Sequence, residues 1–248
     1  IKLDGNYPVG TGNVALGDAA LSSVEAGGNY NVAIGSAAGD AITTGDSNIG
    51  IGLNALGTTT TASENIAIGL NAMLANTTGA SNVGIGTYAL NANTTASQNT
   101  AVGYQAGYTN TTGTRLSALG YKALFGNTTG SYDTGLGWGA LVSNTTGNYN
   151  TAVGDSALLN NTTASSNTAL GYGALIDNTT GANNVAVGYL ALENNTTANY
   201  NAAFGYAALS TNTTGTQNSA SGNWALYLNT TGNYNSAHGY EALRANTT

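Results

Sequence analysis

Cysteine is absent from this chain of 248 residues, and proline, methionine and histidine each occur once. No disulfide framework and no thiolate chemistry are therefore open to it. Charge is scarce as well, at 6% of residues, against roughly a quarter in ordinary soluble domains. The basic side chains are Lys2, Arg115, Lys122 and Arg244, too few and too scattered to neutralise a phosphate backbone, so nucleic acid is excluded as a partner. The net charge of −7 is spread without an acidic run. No apolar run is long enough for a membrane span and no signal peptide is recognisable, so membrane insertion is not expected of this segment. His238, the only histidine, has no placed nucleophile or orienting carboxylate to build a triad with. Acidic residues such as Asp18, Asp46, Asp155 and Glu193 fall at unrelated repeat positions and give no metal-ligand spacing. An enzyme, a cofactor and a metal centre are all unexpected.

What the chain does contain is a period. In one register, glycine is followed three residues later by alanine at fourteen successive steps, from Gly17 and Gly35 through Gly222 and Gly239, with every spacing 17 except the first, which is 18. A period this short marks a stacked array whose units bury their apolar faces only against neighbours. The register is Asn-x-Ala-φ-Gly-Tyr-x-Ala-Leu-x-x-Asn-Thr-Thr-Gly-x-x, φ being aliphatic; the first Asn is position one. That Asn is replaced twice, by Leu116 and Asp133, and the Leu of position nine by Gly39 and Gly107. Positions one to six read as a short strand, and Asn-Thr-Thr-Gly reads as a turn. The Gly of position five suggests close backbone approach or a bend. Two turn signals per 17 residues leave no room for a helix. The expected fold is all-β, a parallel β-solenoid of about fourteen 17-residue coils over 13–248, preceded by an entry segment 1–12 that holds Pro8. At roughly 4.8 Å per coil it would extend on the order of 67 Å. The chain opens without Met and stops inside an Asn-Thr-Thr turn, which predicts a segment of a longer polypeptide.

Side-chain rows follow from the stacking. The Asn of position one should form an amide ladder from coil to coil, with a local irregularity at Leu116 and Asp133. Both strand faces are uncharged. Positions two and four carry Val, Ile, Leu or Thr, as at Val32 and Ile34, while three and five carry Ala or Gly. A strand with no polar side is normally covered on both sides, and identical chains are the economical cover. Ser219, Ser221, Ser236 and His238 depart from this pattern in the last two coils, which reads as repeat drift. Position six carries an aromatic stripe, Tyr104, Tyr121, Trp138, Tyr172, Tyr189, Tyr206 and Tyr240, interrupted by Asp155 and Asn223. Those rings are candidate surface contacts for a glycan or protein, or they pack on one another or on a neighbouring chain. The Asn-Thr-Thr turns also match the N-glycosylation sequon, although a period-locked turn explains them. Rows of Thr raise ice binding, but adjacent threonines in a turn should point in different directions.

The units Asn31-Val32-Ala33-Ile34-Gly35, Asn65-Ile66-Ala67-Ile68-Gly69 and Asn184-Val185-Ala186-Val187-Gly188 resemble the head repeat of YadA-like trimeric autotransporter adhesins. Similar repeats occur in phage tail fibres and large bacterial surface proteins. The Asn-Thr-Thr-Gly turn makes this coil longer than the family's usual unit. The resemblance implies a left-handed β-roll packed side by side as a homotrimer, extracellular on a cell surface or virion fibre. It further implies an adhesive head or shaft that meets a host or environmental surface, protein or glycan. The competing expectation is a monomeric ice- or glycan-binding β-solenoid.

Overall fold

The computed structural model describes residues 9–247. Of the predicted entry segment, residues 1–8 with Pro8 lie outside them. The chain divides into two compact units, Ile1–Lys122 and Ala123–Thr248. In the first lie β1 (Val14–Leu16), β2 (Val32–Ile34), β3 (Ile49–Ile51), β4 (Ile66–Ile68), β5 (Val83–Ile85), β6 (Thr100–Val102) and β7 (Ser117–Leu119). In the second lie β8 (Thr134–Leu136), β9 (Thr151–Val153), β10 (Thr168–Leu170), β11 (Val185–Val187), β12 (Ala202–Phe204), β13 (Ser219–Ser221) and β14 (Ser236–His238). Within each unit successive strands pair in parallel and in phase, so Ile49 lies beside Ile66 and Ala186 beside Ala203. Each unit is a parallel β-solenoid with coils of about 17 residues and, among the described residues, no helix.

The strands are shorter than the sequence suggests, three residues at positions two to four instead of six. Position five explains the difference. Its glycines hold φ between +119° and +140°, which turns the chain out of the pleat directly after position four. The same glycines meet one another: a Cβ at Gly205 would lie 2.7 Å from both C and O of Gly222 in the next coil. Bend and backbone approach occur together at this position.

Beyond the strand the stacking continues through conformations that the sequence does not announce. Positions seven, nine and seventeen are left-handed, with φ from +48° to +63°, even where the residue is Leu. L-residues pay roughly 1–2 kcal/mol for that conformation. The compensation is geometric, because most of these residues aim their N–H at an adjacent coil. Leu190 N–H donates to Tyr172 O at 2.9 Å, Leu192 N–H to Ala208 O at 3.0 Å, and Asn183 N–H to Ser165 O at 3.2 Å. The glycine exceptions now have a cause. Gly39 and Gly107 occupy the left-handed position nine, and Gly139 and Gly173 the left-handed position seven. Where Gly39 replaces Leu, a Cβ would meet Ile42 and Leu21, whose side chains fill the volume that Leu occupies elsewhere.

The interior of a coil holds Ala at positions three and eight, Leu at nine, and Asn at one and twelve. Leu124, Leu141, Leu158 and Leu175 are fully buried, as are Ala152, Ala157, Ala169 and Ala174. Each such Leu is worth about 1.5–3 kcal/mol. Burying two amides per coil would be costly if either lacked partners. Among the described residues no buried side-chain nitrogen or oxygen is unsatisfied.

Candidate functional site: side-chain columns and exposed faces

Two asparagine ladders run through the coils where one was expected. At position one the carboxamide oxygen accepts the backbone N–H of the next position-one residue, as Asn167 N–H donates to Asn150 Oδ1 at 3.1 Å. The position-one Nδ2 crosses the coil to a turn carbonyl, as Asn167 Nδ2 donates to Gly181 O at 2.8 Å. Direct amide-to-amide bonds appear in some coils only, for example Asn82 Nδ2 to Asn65 Oδ1 at 3.1 Å. Within each unit the regular amide ladder lies instead at position twelve, in the coils that carry Asn there. Asn178 Nδ2 donates to Asn161 Oδ1 at 2.9 Å and to Gly181 O at 2.9 Å, and Asn195 Nδ2 repeats the pattern on Asn178. These are the asparagines of the sequons. From Asn76 to Asn229 they are buried, and both amide hydrogens are engaged wherever this pattern holds, so a sugar on Nδ2 would break the ladder.

The two replacements of the position-one Asn behave differently. Leu116 is buried and keeps the backbone part of the ladder, its N–H donating to Asn99 Oδ1 at 2.9 Å. Asp133 is also buried. Burial pushes its carboxyl up to about 7, outweighing the hydrogen bonds from Asn150 and Asn144 that favour the carboxylate. In those bonds Oδ1 accepts Asn150 N–H at 2.8 Å and Oδ2 accepts Asn144 Nδ2 at 3.2 Å. Once ionised, Asp133 has nothing to donate across the coil, where Asn150 donates to Ala164 O at 2.9 Å.

On the strand face, position three points in and positions two and four point out. Val14, Leu16, Ile34 and Leu119 in the first unit, and Leu136, Leu170 and Phe204 in the second, are exposed. Others on that face, such as Ile49, Ile66 and Val185, are half-buried, whereas position three is buried in nearly every coil.

The predicted aromatic stripe is a real column. In the first unit Tyr104 and Tyr121 stack with centroids 5.4 Å apart, and Lys122 Nζ lies 5.5 Å from the Tyr121 centroid. In the second unit Tyr172, Tyr189 and Tyr206 stack at 5.2 Å and 5.1 Å, with interplanar angles of 13° and 6°. Stacking does not hide them, since all three remain 43–49% exposed. Trp138 and Tyr240 are exposed too. At the Asn223 interruption Trp224 closes the column edge-on, 5.5 Å from Tyr206 and 5.7 Å from Tyr240. At the Asp155 interruption the residue one step on is Ser156, which carries no ring. His238 is exposed and shares a 3.2 Å hydrogen bond with Ser236.

Two further columns flank the turn. The first Thr of Asn-Thr-Thr is half-buried from Thr77 to Thr213, its hydroxyl donating to the next coil, as Thr179 Oγ1 does to Thr196 O at 3.0 Å. The second, such as Thr146, Thr163 and Thr180, is exposed, so the two do point apart as expected. A second tyrosine column, Tyr30 in the first unit and Tyr132, Tyr149, Tyr200 and Tyr234 in the second, goes beyond the single stripe expected from sequence. It occupies position seventeen, is exposed, and stacks at 4.8 Å between Tyr132 and Tyr149. Its signal in the sequence is plain, because each of these Tyr directly precedes a position-one residue.

Among the described residues no group of three or more His, Asp or Glu side chains is placed to hold a metal ion. No protein-family model, curated protein or solved structure matches this chain. The class that the geometry defines is a parallel β-solenoid with buried asparagine ladders.

Proposed function

We propose that this chain is the structural, adhesive head or shaft of an extracellular trimeric fibre, carried by a bacterial surface or a phage tail, with left-handed β-rolls side by side. The observation that carries the reading is the outward strand face. Position four carries an aliphatic side chain or Phe from Leu16 to Phe204, and position two a Val, Ile, Thr, Ser or Ala; all point out of their own coil, uncharged, and are half-buried or exposed. Identical chains packed along that face would cover it in every coil at once, since the same surface serves each copy. The work of such a fibre is mechanical. Identical coils display identical side chains, and many weak contacts sum to firm attachment by avidity.

The stacked Tyr column is the contact surface in this reading, for a protein or glycan ligand. Changing Tyr172, Tyr189 and Tyr206 together to Ser is expected to lower attachment to protein- or glycan-coated surfaces by about tenfold or more, since three repeated contacts are lost at once. Circular dichroism should be unchanged, because the rings stand outside the coil. Undiminished attachment with an intact spectrum would remove the column from the proposal.

A monomeric ice- or glycan-binding solenoid is supported by the exposed Thr row. Against ice, only one Thr per coil faces out, and the neighbouring exposed column is chemically mixed, with Ser47, Glu64, Ser81 and Gln98 in successive coils. A single uniform row gives a one-dimensional repeat where a crystal face presents two.

A further inference from the structure

The oxidisable side chains of this chain are unevenly placed. Cysteine is absent, and the single methionine, Met73, is fully buried, so neither a thiol nor an open thioether stands ready to be oxidised first. Tyrosine is abundant instead, with 15 residues against two tryptophans. The coil repeat holds several of these phenols face to face. In the second unit Tyr172, Tyr189 and Tyr206 stack at 5.2 Å and 5.1 Å, and Tyr132 and Tyr149 at 4.8 Å with an interplanar angle of 16°. In the first unit Tyr104 and Tyr121 stack at 5.4 Å and 14°. The partners occupy the same repeat position in adjacent coils, so both rings leave the backbone in the same direction and present the same edge. All of these rings remain 42–60% exposed. Tyr200 and Tyr234 are the internal contrast. They are more exposed, at 62% and 77%, but Gln217 stands at their repeat position in the coil between them and Asn183 in the coil before Tyr200.

We propose that the stacked pairs are a modification site, coupled by one-electron oxidation into dityrosine links from coil to coil. The oxidant is a haem peroxidase with hydrogen peroxide. Each phenol gives up one hydrogen atom, its electron going to the oxidised haem and its proton to water. The two phenoxyl radicals then pair their electrons in a Cε–Cε bond. Each bonded Cε loses its hydrogen and each oxygen regains one, which restores both aromatic rings. In sum, two tyrosines and one hydrogen peroxide give one dityrosine and two waters. Placement favours the stacked pair over every other. Holding the second phenol one coil away makes the coupling intramolecular, at an effective concentration far above that of a second chain. Exposed side chains reorient within nanoseconds, so a ring tilting out of its stack brings the two Cε carbons together while the coils stay paired. A link of this kind would tie adjacent coils covalently in a chain that has no cysteine to do so. It requires neither the trimeric assembly nor a surface ligand, because both phenols come from one chain.

The test is oxidation of the folded full chain, kept dilute, with a haem peroxidase and hydrogen peroxide. Products are read by dityrosine fluorescence, by denaturing gel, and by mass spectrometry of thermolysin peptides. Links from Tyr172 to Tyr189, Tyr189 to Tyr206 and Tyr132 to Tyr149 are expected, each joined peptide pair lighter by two hydrogens. The linked chains should still run as monomers on the gel. Their yield should exceed that of any link through Tyr200 or Tyr234 by about tenfold or more. Tyr189→Phe keeps a ring in the stack, so it should remove both links through that position and leave the link from Tyr132 to Tyr149. Gln217→Tyr should create links to Tyr200 and Tyr234; Gln217 has φ +59° and both tyrosines +60° at this repeat position, so the backbone accepts the change. Oxidation of the chain unfolded in urea should erase the preference. Links through Tyr200 as abundant as those through Tyr189, the same pattern of links in urea, or products formed only between chains would overturn the proposal.

Discussion

Gly205→Ala is expected to break the solenoid locally, with loss of about 3–5 kcal/mol of local stability. Two costs add. The residue sits at φ +134°, and its new Cβ would lie 2.7 Å from the carbonyl carbon and oxygen of Gly222. The obstruction is backbone of the next coil, which can move only by lengthening the hydrogen bonds between coils, such as Gly222 N–H to Phe204 O at 2.8 Å. In a stacked array such damage is felt mainly by nearest neighbours. Amide exchange should therefore accelerate in the coils around 201–222 and stay near its original rate around 150–170. Gly139→Ala is the control. That glycine is also left-handed, but its Cβ would meet only Leu159 at 3.6 Å, and Ala207 already occupies the same repeat position at φ +50°. It should cost about 1 kcal/mol or less. Equal, small effects from both substitutions would mean that the glycine column does not set the coil spacing.

Asp133→Asn is expected to stabilise the second unit, and to do so only above the acidic range. The folded chain raises this carboxyl from 3.8 to about 7, so the native state holds the proton more tightly than the unfolded chain does. Stability contributed by the neutral carboxyl is complete below pH 4 and declines as pH rises through the interval from about 4 to about 7. Three pH units correspond to about 4 kcal/mol at most. Asparagine cannot ionise, and it returns the Nδ2 donor that the other position-one residues send across the coil. At pH 8 the variant should therefore gain a few kcal/mol, read as slower exchange of the Asn150 and Thr151 amides. At pH 4 the two chains should be nearly equal. The same pH dependence in both would show that Asp133 is not the group responsible.

The period, the parallel stacking, the absence of helix and the position of the bend are all legible in the sequence, because each depends on residue type at a fixed register. Gly205 can be read from sequence as a site of close approach, since a glycine recurring inside a β-branched strand marks a bend or a backbone that comes near. The strand length is not legible. Tyr at position six is a good strand former, and only the positive φ of the preceding glycine removes it from the pleat. The left-handed leucines are invisible for a related reason: Leu141 and Leu158 look like ordinary core residues, and nothing local favours their conformation. It is held by a coil-to-coil hydrogen bond, a property of the stack. Position twelve reads as a turn asparagine because Asn-Thr-Thr-Gly is good turn chemistry, yet Asn161 and Asn178 also serve as the interior ladder. The aromatic stripe is visible residue by residue. What separates its two interruptions is the neighbour at position seven, Ser156 in one and Trp224 in the other, and that requires knowing which way position seven points.

Solution mass tests the partnering of the outward strand face most directly. Light scattering coupled to size exclusion at neutral pH should give a value near three times 24.6 kDa, with Ile66, Ile68, Val185 and Val187 covered by neighbouring copies. A mass of 24.6 kDa across the accessible concentration range would place that aliphatic face in water and contradict the trimeric fibre.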